Sequence, residues 1–360
     1  MLAFSLLLYL PAAIAVEVPG LYRATVRVES RNNEQERRRA FSEAMQEVLG
    51  KVSGLNGGLN QASIRRALNN PEPYVQSWST QASLQPVDPN AEISELREVI
   101  SIQVTFYETE IQRLLDENNI PIWPANRPET LVWLVVQDEL GERQMLSSGN
   151  SGGDGIVTEL QAFADQRGLP ILFPLLDLED QLRLNANVLW ELDETAILNA
   201  SLRYRAESIL AMRLYRSLSG EVLARSLYLF RDNAFGYEEF DSDQEEFLLS
   251  SINLATVELS QYYAVLLSAA NNSISINFRV DGINSPADYA ALIAYLNTLE
   301  GVSSYTLKQA NADSLTFQLE TGDQLRQLVE TIALQPSLQE LTELSRDGTD
   351  VSMHYLWKSN

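Results

Sequence analysis

Two carboxylates, Asp177 and Asp180, are the residues of this chain best placed by type and spacing to do chemistry. They follow the apolar run LPILFPLL and lie three positions apart, so a helix starting near Leu178 presents both on one side of its first turn. A carboxylate pair suffices for general acid and base work on a glycosidic bond, and the carboxyl ends of strands are where α/β proteins often bind ligands. The plainer reading is a helix start, with Asp177 as cap and Glu179 and Asp180 favoured by the helix dipole. Caps are far commoner than sites, so the cap is adopted and no catalytic residue is assigned.

The other candidates weaken one by one. His354 is the single histidine. On a strand in which Val351, Met353, Tyr355 and Trp357 share one face it points to the other, towards solvent, with no acid or nucleophile placed near it. Asp241, Asp243, Glu245 and Glu246 fail as a calcium loop because position six is Glu246 and position twelve is Ile252, where Gly and Glu are needed. They read as an acidic helix start. The glycines of Ser147–Gly155 precede a helix expected over Ile156–Arg167, yet the Gly-Lys-Ser/Thr ending of a phosphate loop is missing and a solvated loop is expected. Arg37, Arg38 and Arg39 fall on the outer face of an amphipathic helix and read as a solvated face. No cofactor-binding or metal-ligating residue is assigned.

Composition narrows the classes further. The 360 residues contain no cysteine, which excludes disulfides, thiolate metal sites, cysteine nucleophiles and a lipid-bearing N-terminal cysteine. Against 26 Lys and Arg stand 49 Asp and Glu, a formal net charge of -23 that repels phosphate backbones and anionic lipid, so nucleic acid is not expected as a partner. Hydrophobic residues at 45% suit globular cores in two or three domains. The first fifteen residues, MLAFSLLLYLPAAIA, hold an apolar run too short to span a membrane, then Ala13 and Ala15 in the A-x-A arrangement of a cleavage site. An export signal cut after Ala15 is expected, with no transmembrane segment afterwards and a periplasmic location. The signal lacks the usual Lys or Arg before its apolar run.

The elements that position these residues are read from periodicity. Residues 16–120 form an α+β domain: a strand through Tyr22–Val28, a helix opened by Asn33 and Glu36 and ended by Gly54, a short helix over Gln61–Asn69, strands at Tyr74–Thr80 and Arg97–Tyr107, and a helix over Glu108–Asn118. Gln85–Glu95 is expected as an exposed loop. Pro121, Pro124 and Pro128 mark a stiff linker over 121–130. Residues 131–270 form a central α/β domain. Its middle strand is expected in the run Arg167–Asp180, opened by Gly168 and Pro170 and buried on both faces at the centre of a sheet. Strands at Leu131–Val136, Ser208–Arg216 and Glu221–Phe230, a polar stretch over Asp193–Tyr204 and a long helix to about Ser268 complete it. Residues 271–360 follow the order β-α-β-β-α-β of a ferredoxin-like module, with Ser285 and Pro286 opening its first helix and Gly301 ending it. The fold class is α+β, as three small mixed modules in series.

The stretches YRATVRVESRNNEQERRRAFSEAMQEVLGKVSG, RGLPILFPLLDLED and DGINSPADYAALIAYLNTLEGV together resemble the family of proteobacterial envelope proteins called domain of unknown function 2066. The resemblance implies export and several domains, and supplies no catalytic residues. The strand and Arg/Ala-rich helix of the first domain also look like envelope assembly factors such as the flagellar assembly protein T and the N-terminal domain of the Tol-system β-propeller protein, an analogy of architecture alone. The expected function is a non-enzymatic binding or scaffolding factor with an envelope protein partner; the alternative is a carboxylate-dependent periplasmic hydrolase using Asp177 and Asp180.

Overall fold

The computed structural model describes residues 15–31, 33–86, 96–148, 154–216, 222–267, 274–322, 324–347 and 350–358. A short strand, β1 (Ala15–Glu17), leads into β2 (Arg23–Val28), whose Ala24 and Val28 turn inward while Arg23 and Thr25 face solvent. Next comes α1 (Glu34–Ser53). Its start is fixed by Asn33, whose Oδ1 accepts from the Gln35 and Glu36 amides at 2.9 and 3.3 Å, and its end by Gly54 at φ +72°. Gly54 is required twice over, because a Cβ there would lie 2.1 Å from Ser260 Cβ. The buried stripe of α1, from Ala40 through Met45 to Val52, covers an antiparallel sheet in the order β2-β4-β3, with β3 at Val75–Pro86 and β4 at Leu96–Phe106. Two more helices, α2 (Ala62–Asn69) and α3 (Glu108–Asp116), close this layer.

The second sheet has β6 (Thr130–Gln137) and β9 (Ser208–Arg216) at its middle, paired in parallel. Beyond β9 lie β10 (Val222–Phe230) and β11 (Asn233–Ser242). On its far side β6 pairs antiparallel with β7 (Arg143–Leu146) and, at its first two residues, parallel with β8 (Ile171–Leu172). β5 (Asn126–Pro128) pairs separately with β1. Alternate residues of β6 point to opposite cores, so the strand is buried throughout from Thr130 to Val135. Val132 and Leu134 meet α4 (Asp154–Arg167) and α8 (Gln244–Tyr263) on one face. Leu131 and Trp133 share the other with α6 (Ala186–Trp190), α7 (Glu194–Ser201) and Leu184, which ends α5 (Leu178–Arg183).

The run Arg167–Asp180 is therefore not the centre of this sheet. Only Ile171 and Leu172 are extended, both half-buried, and they sit beside the first residues of β6. Pro170 and Pro174 lack the amide a ladder needs, and of the three residues between them only Ile171 and Leu172 pair. Leu175 beyond them is 71% exposed. The polar stretch over 193–204 is helical, because Asp193 caps α7 by accepting from the Ala196 amide at 2.7 Å.

A third sheet runs in the order β13-β14-β12-β16-β15. Its elements are β12 (Ile274–Asp281), α9 (Pro286–Thr298), β13 (Val302–Ala310), β14 (Ser314–Thr321), α10 (Leu325–Ala333), β15 (Leu338–Asp347) and β16 (Asp350–Trp357). The order is β-α-β-β-α-β-β, which corrects the ferredoxin-like expectation. β15 takes the outer edge and turns back into β16, which pairs with β12 in parallel. β15 escaped detection because Leu338, Leu341 and Leu344 recur every third residue, and the ladder absorbs that spacing in two register shifts. The class α+β holds: ten helices among the described residues and several small sheets. None of those helices is long and apolar enough to cross a membrane.

Candidate functional site

Asp177 and Asp180 come together, but as a clamp. Asp177 caps α5, its Oδ1 accepting from the Asp180 amide at 3.0 Å. The Arg203 guanidinium then donates to Asp177 Oδ1 at 2.8 Å, to Asp177 Oδ2 at 3.1 Å and to Asp180 Oδ1 at 3.0 Å. Asp180 is fully buried, and its Oδ2 accepts from Tyr204 Oη at 2.5 Å and from the Leu176 amide at 2.9 Å. Tyr204 Oη in turn accepts from the Leu175 amide. Arg203 holds the Asp177 carboxyl down at about 2, while burial and the bond to Asp180 push the Tyr204 phenol up to about 12. A general acid must hold a proton near its working pH, and Asp177 does not. The pair closes α5 onto the turn that follows α7.

The clamp predicts an order of costs. Asp180→Asn, which leaves Arg203 and Tyr204 short of a buried carboxylate, should destabilise by about 2 kcal/mol in urea unfolding. Asp177→Ala, at an exposed cap, should cost less than the Asp180 change. The reverse order would show that Asp180 is not the anchor.

The other sequence candidates resolve as surface or caps. His354 Nε2 lies 2.7 Å from Asp281 Oδ2 on the face of β16 opposite the core, and Arg279 pairs with the same carboxylate. Asp243 caps α8 through the Glu245 amide, with Glu245 and Glu246 in its first turn. Of the loop Ser147–Gly155, residues 149–153 lie outside the described residues, as do 87–95 of the loop expected before β4. Among the described residues no three His, Asp or Glu side chains converge on a metal position.

Sequence reasoning missed two ionisable groups, one fully buried and one half-buried. The segment 121–130 packs inside, with Trp123 and Arg127 fully buried. Arg127 donates from Nε to the Pro124 carbonyl at 2.9 Å, from Nη1 to Gly168 at 2.7 Å, and from Nη2 to Lys51 and Trp123 at 2.9 and 3.0 Å. Its guanidinium stacks 3.7 Å from the Trp123 ring centroid, and burial lowers it to about 9. A Cβ on Gly168, at φ +62°, would fall 2.7 Å from Arg127 Nη1. The second group, Glu300, follows α9 and lines a cleft of about 560 Å³ with Tyr22, Glu108 and Gln112. Burial, reinforced by Glu108, pushes Glu300 up to about 7, and burial also raises Tyr22. Neither had a periodic signal: Arg127 lies among prolines, and Glu300 between a helix end and Gly301.

The feature most suited to recognition is the outer edge of β3. Beyond Ile100, where β2 ends, β3 and β4 continue as a two-stranded arm as far as the pair Pro86 and Leu96. Among the described residues nothing pairs with the outer edge of β3, and its sequence VQSWSTQASLQP holds no charge. The other sheet edges of four residues or more each include charged residues: Arg23 and Arg27 on β2, Arg143 on β7, Glu238 and Glu239 on β11, Lys308 on β13, Glu340 and Arg346 on β15. Trp78, 46% exposed, points to the α1 side, with its ring edge-on to Phe41 at 5.9 Å and the Arg37 guanidinium 5.5 Å above it. Leu84 and Leu96 on the arm are 67% and 62% exposed.

Residues 15–124, which contain this edge, match a family model described as a domain of unknown function, DUF8605. This overturns the likeness to domain of unknown function 2066. The match is to a different family and covers only the first of the three stretches on which that likeness rested. A strand followed by an amphipathic helix is a pattern that many unrelated α+β domains share, so it discriminates poorly between families. No curated protein matches the chain.

Proposed function

We propose that the chain is an exported envelope protein that binds an extended segment of a partner along β3, as an added strand. The observation behind this reading is the unguarded edge. Folded proteins protect exposed strand edges with charge, proline or bulges, since unpaired amides and carbonyls template association. Here the other long edges are charged, while the 12-residue β3 has its one register shift at Val75/Ser77 and its proline at the last position. Main-chain hydrogen bonds to such an edge give affinity, and side-chain contacts at alternate positions give selectivity.

Export is supported by the cleavage-site pattern at Ala13 and Ala15. The mature chain should start at Val16 and fractionate with the periplasm, which N-terminal sequencing of the fractionated protein checks. For binding, a photo-crosslinking residue at Ser79, exposed on β3, should give a discrete adduct in intact cells. One at Lys308 on the guarded edge β13 should not. The double variant Ser77→Lys/Gln81→Lys, which sets charges along the edge, should lose the Ser79 adduct at unchanged folding. Equal adducts from both positions, or an adduct indifferent to the added lysines, would overturn the proposal.

A further inference from the structure

Of the three consecutive arginines on α1, two are already engaged. Arg38 pairs with Glu34 and Glu72, and Arg39 with Glu36 and Glu43. Arg37 has no carboxylate within ion-pair reach among the described residues; its guanidinium lies over Trp78 instead. Trp78 is the only tryptophan more than a third exposed among the described residues, and it stands on the edge strand itself.

We infer that Arg37 and Trp78 together select the strand that adds to β3, favouring one that presents an apolar side chain beside an acidic one on the α1 face. This rests on the edge reading above and names the chemistry of the partner. A strand laid against β3 brings a side chain to about 5 Å from Trp78, where an apolar group covers the rest of the ring. The next residue on the same face is about 7 Å further along, within reach of a long guanidinium. A carboxylate there makes a charge-assisted bond with an arginine already partly desolvated against an aromatic face.

The wider field agrees. Residues 15–124 hold 11 of the 26 basic residues but only 15 of the 49 acidic ones, so the strong negative charge lies mainly elsewhere. An acidic segment is therefore repelled least at this module. A second copy of the chain, pairing β3 with β3, would offer Arg37 no carboxylate, because β3 has none. A basic segment would meet Arg37 directly.

The test uses the full mature chain, immobilised and panned against phage displaying random peptides of the 12-residue length of β3. Synthetic versions of the enriched peptides are then titrated by fluorescence polarisation. Enriched peptides should carry a β-branched or aromatic residue with Asp or Glu two positions away, on the same face of the strand. Their affinity should fall by about tenfold or more in Arg37→Gln, and likewise when the acid is replaced by its amide. The two changes together should cost little more than either alone. Binding should also vanish in Ser77→Lys/Gln81→Lys.

Peptides that need the free edge but ignore Arg37 would overturn this inference and leave the edge reading standing. Peptides that ignore the added lysines, or an absence of enrichment, would overturn both. Enrichment of basic peptides would overturn the inference, as would self-association in sedimentation that the added lysines abolish. Trp78→Ala tests the apolar half, and Arg37→Gln, at a side chain outside the core, guards against loss of fold.

Discussion

Arg127→Met should be the most damaging single substitution in the protein, lowering the free energy of unfolding by about 4 kcal/mol or more. Exchanging a buried ion pair for apolar residues is often harmless, because both charges leave together. Here the acceptors are backbone carbonyls of Lys51, Trp123, Pro124 and Gly168, and they remain after the guanidinium has gone. Each buried carbonyl left without a donor costs about 1 to 3 kcal/mol. Methionine fills part of the volume and satisfies none of them. Arg127→Lys should recover only part of the loss, since three donors on one nitrogen do not reproduce the planar fork. Urea unfolding of the three proteins measures this, and a loss below about 1 kcal/mol for the methionine variant would remove Arg127 from its organising role.

Glu300→Gln should stabilise the protein by about 2 to 3 kcal/mol at pH 8 and change it little at pH 4. The sign follows from burial. The folded state keeps a proton on Glu300 that the unfolded chain releases, between the ordinary value of 4.5 and about 7. Native protein thus binds more protons across that window, and stability falls as pH rises through it, reaching its full loss above about 8. Glutamine carries no charge at either pH and escapes the loss. Glu129 and Glu207, also raised by burial, add to the same trend in both proteins, so the difference isolates Glu300. Urea midpoints at the two pH values decide it, and a gain that is equal at both would point to packing instead of ionisation.

Read residue by residue, most elements and caps were legible. Asn33, Asp177, Asp243 and Ser285 start helices as their types and positions suggest, and the buried faces of α1, β12 and β16 follow their periods. Failures arose where local pattern and tertiary role diverge. The run at Arg167–Asp180 is apolar enough for a central strand, yet two prolines leave it two paired residues at a sheet margin. β15 has a helical spacing that register shifts convert into a ladder. The carboxylates singled out as a possible acid and base were placed together correctly, but Arg203, more than twenty residues along the chain, turned them into a clamp.

Composition and local spacing by themselves determined an acidic, cysteine-free α+β chain, the starts of its main helices and the inward faces of its longest elements. Each of these depends on residues within a turn or two of one another. Tertiary structure alone decided that Arg127 serves carbonyls 41 and 76 positions away, that Glu300 lines one cleft with Tyr22, and that β3 is an edge. Burial and strand neighbours are set by which distant segments arrive, and a local period is the same whether a strand ends up inside a sheet or at its margin.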